Sequence, residues 1–147
     1  MKKIISTGLL LLAIVFSGSL TAQDSAEADR LTGVWEPSHG KAKVKIEKIA
    51  DKYYGKIVWL KEPIDPETKQ PKLDKNNPDE KLQNKPLRGY RILKDFQYTD
   101  KNEWTEGTIY DPENGNTYSC IIKMTDDNTL DIRGYIGVSV LGRTDIW

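Results

Sequence analysis

The chain has 147 residues, with 22 Lys and Arg against 22 Asp and Glu, so its formal charge is zero at neutral pH. A balanced chain without a basic block speaks against nucleic acid as the main partner. One histidine and one cysteine exclude a multi-histidine metal site and an internal disulfide.

The first 22 residues separate from the rest by composition. Lys2 and Lys3 precede an apolar run from Ile4 to Phe16, and small Ala22 stands before Gln23. This is the pattern of a cleavable secretory leader. About 13 apolar residues fall short of the roughly 20 that a spanning helix needs. No cysteine lies near the junction, which argues against a lipid anchor. The expectation is a periplasmic or secreted protein whose mature chain starts at Gln23, with no membrane span left after cleavage. Cleavage removes two lysines and no acid, leaving a slight acidic excess. A mature chain of this length is enough for one domain with a real core.

Residues 23–30 are polar and read as a flexible segment ahead of a single domain at 31–147. From there the apolar residues follow the strand period of two, and no long helical pattern occurs. Candidate strands cover 32–36, 43–49, 53–60, 90–98, 103–110, 116–124, 129–135 and 140–146. In "KVKIEKI" Val44 and Ile46 alternate against Lys43, Lys45 and Glu47; in "TLDIRGY" Leu130 and Ile132 alternate against Asp131 and Arg133. Such strands have one wet and one buried face. In "TYSCIIKM" Cys120 shares a face with Tyr118, Ile122 and Met124, so it reads as an inert core thiol.

Links as short as "ADK", "TDKN" and "TDDN" join only antiparallel neighbours. Eight short antiparallel strands fit an all-β up-and-down barrel, in which closure removes unpaired edges. An open sandwich is the alternative. In an up-and-down barrel successive links alternate between the two ends. One end receives the three short polar links. The other receives "PSHGKA", the long stretch 61–89, "DPENG" and "IGVS". In small barrels one end closes and the other admits a ligand.

"GVWEP", "NNPDEKL" with "KPLRGYRIL", "GTIYDPENGNTY" and "LDIRGYIGVSVLGRTDIW" together resemble the bacterial family of unknown function DUF2147, from about Leu31 to Trp147. The resemblance implies architecture and no established activity. Before the proline of "KPL" this chain carries Lys85 where the family pattern suggests arginine, which keeps the charge and gives up a planar fork. Gly33-Val34-Trp35 resembles the G-x-W signature of lipocalin-type barrels. That resemblance implies a tryptophan plugging the closed end, with an arginine from the last strand, Arg143, packed over it. If Trp35 fills that end, Trp35→Ala costs about 3–5 kcal/mol.

Candidate chemistry is sparse. His39 lies in a turn beside Ser38, where adjacent residues rarely aim at one another, and no G-x-S-x-G elbow occurs. Asp74, Asn76 and Asp79 superficially suggest a calcium loop. The sixth-position glycine and the closing glutamate are missing, and an Asn-Pro turn with Asx hydrogen bonds accounts for them. The stretch 61–89 is long enough to be a lid, with Ile64, Leu73 and Leu82 as its aliphatic anchors. Trp59, Tyr90, Phe96 and Tyr118 are candidate cavity aromatics. Arg88, Tyr110, Asp111, Arg133 and Tyr135 are candidates for orienting a polar head group, or for a structural salt-bridge network. No catalytic residue, metal or cofactor is assigned, and the chain is expected to be a monomer or weak dimer.

Three functions follow. The first is non-enzymatic binding of a small hydrophobic or amphipathic ligand. The second is an envelope-associated interaction or structural module with a packed interior. The third is a hydrolase using Asp111 or Asp74 as a base, disfavoured because the acids read as lying in wet turns.

Overall fold

The computed structural model describes residues 22–147. A short helix, α1 (Ala22–Ala28), runs into a 3-10 turn at Asp29–Leu31. Eight strands follow: β1 (Gly33–Trp35), β2 (Ala42–Ile49), β3 (Lys52–Leu60), β4 (Arg91–Tyr98), β5 (Glu103–Asp111), β6 (Asn116–Asp126), β7 (Thr129–Tyr135) and β8 (Arg143–Ile146). They form one sheet in sequence order with every neighbour antiparallel. The up-and-down all-β reading therefore holds. No hydrogen-bonded ladder joins β1 to β8 among the described residues. Both edges are short, and Ser38 Oγ donates to Asp145 Oδ1 across the seam.

The core fills the half of the barrel nearest the short links. Trp104, Tyr53, Phe96, Leu93, Ile46, Ile122 and Leu130 are almost wholly buried there. Tyr53 meets Trp104 edge to face at 6.3 Å, and Tyr98 tilts against it at 5.2 Å. Two glycines make room for the rings and branched chains. A Cβ at Gly107 would lie 2.4 Å from the Phe96 ring, and one at Gly55 would lie 2.7 Å from Leu93. Cys120 belongs to this core, and burial pushes its thiol up to about 12.

Within 23–30, Ala28, Asp29 and Arg30 are docked on the barrel. Ala28 and Leu31 are buried, and the turn they frame plugs the short-link end. Trp104 Nε1 donates to Ala28 O at 3.2 Å, and Trp35 Nε1 to Leu31 O at 2.9 Å. Asp29 accepts from Tyr53 Oη at 2.6 Å and Lys48 Nζ at 2.8 Å, and these two bonds hold its carboxyl below the usual range. Arg30 reaches Asn102 and Asp127 in two of the short links. The polar composition that suggested flexibility includes Asp29 and Arg30, which hydrogen-bond to the barrel.

The closure reading of Arg143 also fails. Val140 and Leu141 form a 3-10 turn and not a strand, so β8 begins at Arg143, paired with Gly134 at the wide end. Arg143 is exposed there. Trp35 is only partly buried, and the deep plug is Trp104 with Leu31. The expected leader lies outside the described residues, except for Ala22. Among the described residues no helix is long and apolar enough to cross a membrane.

Candidate functional site

Above the packed half the barrel opens into a cavity of about 1320 Å³. Its floor and walls are aliphatic: Val44, Ile57, Ile92, Ile109 and Ile132, with Leu60. All four wide-end links contribute to its rim, which is the end that strand parity selects.

A bulge decides which β3 side chains enter. Lys43 pairs with Trp59 while Val44 pairs with Ile57, so Val58 is an extra residue and the alternation changes phase. Leu60 turns inward and Trp59 outward, where it is 43% exposed with Lys43 Nζ 5.5 Å from its ring. Trp59 is thus not a cavity aromatic. Arg88 does not line the cavity either; its Nε donates at 3.2 Å to Val58 O, the carbonyl of the bulge.

The remaining candidates divide. Tyr110, Asp111, Tyr118 and Tyr135 line the cavity. Phe96 does not, since it lies in the packed half against Gly107. Tyr90 is packed against the core, 5.6 Å from the Tyr110 ring. Arg133 holds the link between β7 and β8: Nε donates to Ser139 O, one terminal nitrogen to Thr144 Oγ1 and the other to Val140 O, at 2.7, 2.9 and 3.1 Å. The two arginines therefore serve the backbone, and neither forms part of a salt-bridge network.

The stretch 61–89 is ordered and docked over the mouth. It folds on itself through isolated bridges, Ile64 to Pro71 and Leu73 to Pro86. Leu73 and Leu87 face the cavity, whereas Ile64 is exposed. Asp74, expected in a wet turn, is fully buried. Tyr110 Oη donates to its Oδ1 and Asn77 Nδ2 to its Oδ2, both at 2.7 Å, and Asn77 Nδ2 also donates to Tyr90 Oη at 2.9 Å. Burial, then the bond to Asp74, raise the Tyr110 phenol above its ordinary value. Asn77 Oδ1 accepts from Asp79 N, the Asx turn that the Asn-Pro pair implies. Asn76 Nδ2 donates to Pro112 O and Glu113 O, docking the stretch on the β5–β6 link. That contact needs Gly115, because a Cβ there would lie 2.0 Å from Asn76 O and its φ is +75°. Among the described residues no group of His, Cys, Asp and Glu could hold a metal. His39 Nδ1 accepts from Lys41 N at 3.0 Å, an ordinary turn bond.

The rim's charges are not equivalent. Glu113 pairs with Lys41, Glu62 with Lys72 and Asp65 with Lys75. Lys75 foremost, then the Thr68 and Glu67 amides, hold the Asp65 carboxyl at about 2. Asp111 accepts from Glu113 N and Asn114 Nδ2 within its own turn, and Asp145 from Ser38 and Trp147 Nε1. Every carboxylate lining the cavity is engaged. The side chains of Arg143 and Lys61 make no hydrogen bond or ion pair among the described residues. Sequence reasoning assigned Arg143 to the wrong end and missed Lys61. The aliphatic lining was legible in the alternation of β2 and β7.

The family model for an uncharacterized protein conserved in bacteria, DUF2147, matches residues 33–147. No curated protein matches the sequence. Among solved structures, a Helicobacter pylori protein described as belonging to the lipocalin family superposes with a TM-score of 0.67 at 24% identity, covering 80% of each chain. That similarity shows the fold.

Proposed function

The protein belongs to the bacterial DUF2147 family, and we propose that it is an exported, non-enzymatic binder of a small hydrophobic or amphipathic molecule. The observation that carries this reading is the cavity: about 1320 Å³, aliphatic at its base, with polar groups confined to the rim. Drug-sized ligands occupy sites of roughly 300–1,000 Å³, so this open space is large enough to take a molecule of that class. A packed interior, which the interaction-module reading needs, does not fit this volume. The hydrolase reading lacks a free base, since Asp74 and Asp111 have their oxygens taken by structural donors. An apolar body would lie among Ile57, Ile109 and Ile132, with a polar end at the rim beside Arg143 and Lys61. The leader-like composition of residues 1–22 supports export.

The test uses protein purified from the periplasm of an exporting host, with native mass spectrometry for copurifying molecules and titration with a fluorescent long-chain fatty acid. Saturable one-to-one binding, lost in Ile132→Trp while the thermal transition persists, is the expected result. Equal binding by Ile132→Trp, or no saturable binding and no copurifying mass, would overturn the reading. Intact mass of the exported protein tests cleavage before Gln23, and retention of residues 1–22 would refute it.

A further inference from the structure

The link between β7 and β8 places four aliphatic side chains in solvent: Ile136, Val138, Val140 and Leu141, 76%, 56%, 77% and 78% exposed. Scattered exposed aliphatics are ordinary, but four within six consecutive residues make a patch that calls for a reason. The loop is not loose chain that happens to be apolar. Arg133 donates to Ser139 O and Val140 O from β7, Leu141 N donates to Val138 O, and Gly142 N to Ser139 O. Gly137 takes φ +75°, which most residues with a side chain rarely adopt. A Cβ at Gly142 would meet Gly134 O at 2.5 Å, so the loop's far end seats directly on β7. The apolar tip is therefore held outward by its own backbone bonds and one buried-side guanidinium.

Two neighbours indicate what the tip meets. Ile136 and Leu141 also line the cavity, so apolar surface continues from the tip into the barrel. Arg143, directly after the loop, and Lys61 across the mouth are the rim cations with no partner, while the rim's carboxylates are all engaged. We infer that this loop is a membrane-docking tip, which inserts its aliphatic side chains at the surface of an anionic bilayer and sets the cavity mouth against the lipid. The chemistry fits such a surface on three counts. The tip is a convex apolar projection that can enter the headgroup boundary. Its Val138, Ser139 and Val140 carbonyls already accept internal bonds, which lowers the cost of a dehydrated interface. Arg143 and Lys61 beside it, whose side chains form no ion pair, match anionic headgroups. A sparingly soluble ligand would then pass between bilayer and cavity along a continuous apolar path. The inference rests on the loop and stands whether or not the cavity proves to hold a ligand.

Cosedimentation with vesicles decides it. The protein as exported is mixed with phosphatidylethanolamine–phosphatidylglycerol vesicles and, separately, with pure phosphatidylcholine vesicles. It is compared with Val138→Ser/Val140→Ser, whose changes lie at exposed positions that do not line the cavity and should leave the thermal transition in place. The bound fraction on the anionic vesicles should exceed that on phosphatidylcholine and fall at least tenfold in the double variant. Fatty-acid binding in detergent-free solution should not change. Three results would overturn the inference: equal vesicle binding by both proteins, no binding to either composition, or a wild-type dimer in solution that the double variant converts to monomer. The last would assign the patch to a second copy of the chain. Should the double variant fail to fold, Val140→Ser alone is read against the same thresholds.

Discussion

At the short-link end of the barrel Trp104, Phe96 and Leu31 are almost wholly buried, and among the described residues no buried side-chain nitrogen or oxygen lacks a hydrogen-bond partner. At the wide end aliphatic walls enclose a void, and the polar groups stand on the rim, some of them without partners. The same alternating strands run through both halves. What differs is which residues fill the axis: three bulky aromatics and two accommodating glycines below, and isoleucine, valine and leucine above. Stability is therefore concentrated in one half, which leaves the other free to stay hollow. A protein whose upper half is unfilled needs a lower half that is over-determined.

The largest test of that division is Trp104→Ala, which should cost about 3–5 kcal/mol in urea unfolding, as a fully buried indole removed from a tight site does. Trp35→Ala should cost clearly less, because Trp35 is partly exposed and gives up one bond to Leu31 O. Equal losses would mean that the two ends share the load. Gly107→Ala probes the same region from the opposite direction. Its Cβ has no space against Phe96, and overpacking should cost about 1–3 kcal/mol, whereas Gly137→Ala at the wide end meets nothing in space and is limited to its backbone strain.

A middle-sized effect falls on the docked stretch. Asp74→Ala leaves the Tyr110 hydroxyl and one Asn77 proton without acceptors in a buried place, at about 1–3 kcal/mol. Because the stretch covers the mouth, the loss should be local. Hydrogen exchange of the Asp74 and Asn77 amides, which donate to Lys85 O and Asp74 O, should speed up while those of β6 keep their protection. Uniform acceleration would show that the stretch folds with the barrel as one unit.

Acid should loosen the plug before the barrel. Lys48 and Tyr53 hold the Asp29 carboxyl below its unfolded value of 3.8. A depressed folded value stabilises the protein above about pH 4, and that stabilisation disappears as the pH falls through the folded value. The melting temperature should be level from pH 7 to about 4.5 and drop by a few degrees below pH 4. In Asp29→Asn the neutral-pH value should start lower and part of the acid drop should vanish, leaving the share due to Glu47 and Asp65.

The topology was legible in the sequence, and each half of the barrel only in part, for separable reasons. Period-two alternation marked the strands because a sheet with one wet face must alternate, and link parity then placed the mouth. Alternation fails where the register slips: the extra Val58 carries Trp59 out and Leu60 in, and no local signal announces a bulge. The end of the polar stretch 23–30 looked unstructured because the partners of Ala28, Asp29 and Arg30, namely Trp104, Tyr53, Asn102 and Asp127, lie far along the chain. Asp74 looked wet for the same reason, since only the fold brings Tyr110 to it. The lipocalin-like resemblance at Gly33 and Trp35 pointed to the correct fold. It carried Arg143 to the wrong end, because a strand reading through Val140 hid the turn that starts β8 late.

That displaced arginine gives the smallest and most specific prediction. If the wide end binds an amphipathic molecule, head-group preference should follow the rim's free hydrogen-bonding groups and not its formal charge, which is balanced. The carboxylates of Glu62, Asp65, Asp111, Glu113 and Asp145 are committed to partners, so they offer a cationic head little; Arg143 and Lys61 offer donors to an anionic one. A long-chain carboxylate should therefore bind more tightly than the alcohol of equal length. Arg143→Gln should weaken the carboxylate about three- to fivefold, the size of a solvent-exposed ion pair worth up to about 1 kcal/mol. The alcohol should be unaffected, and so should the melting temperature, because Arg143 touches nothing that the fold uses. The difference between the two ligands should shrink as salt rises from 50 to 500 mM, since an exposed pair is screened. If Arg143→Gln weakens both ligands alike, the arginine shapes the mouth without reading the head group; if it weakens neither, Lys61 carries the preference alone, and Lys61→Gln should then show the whole effect.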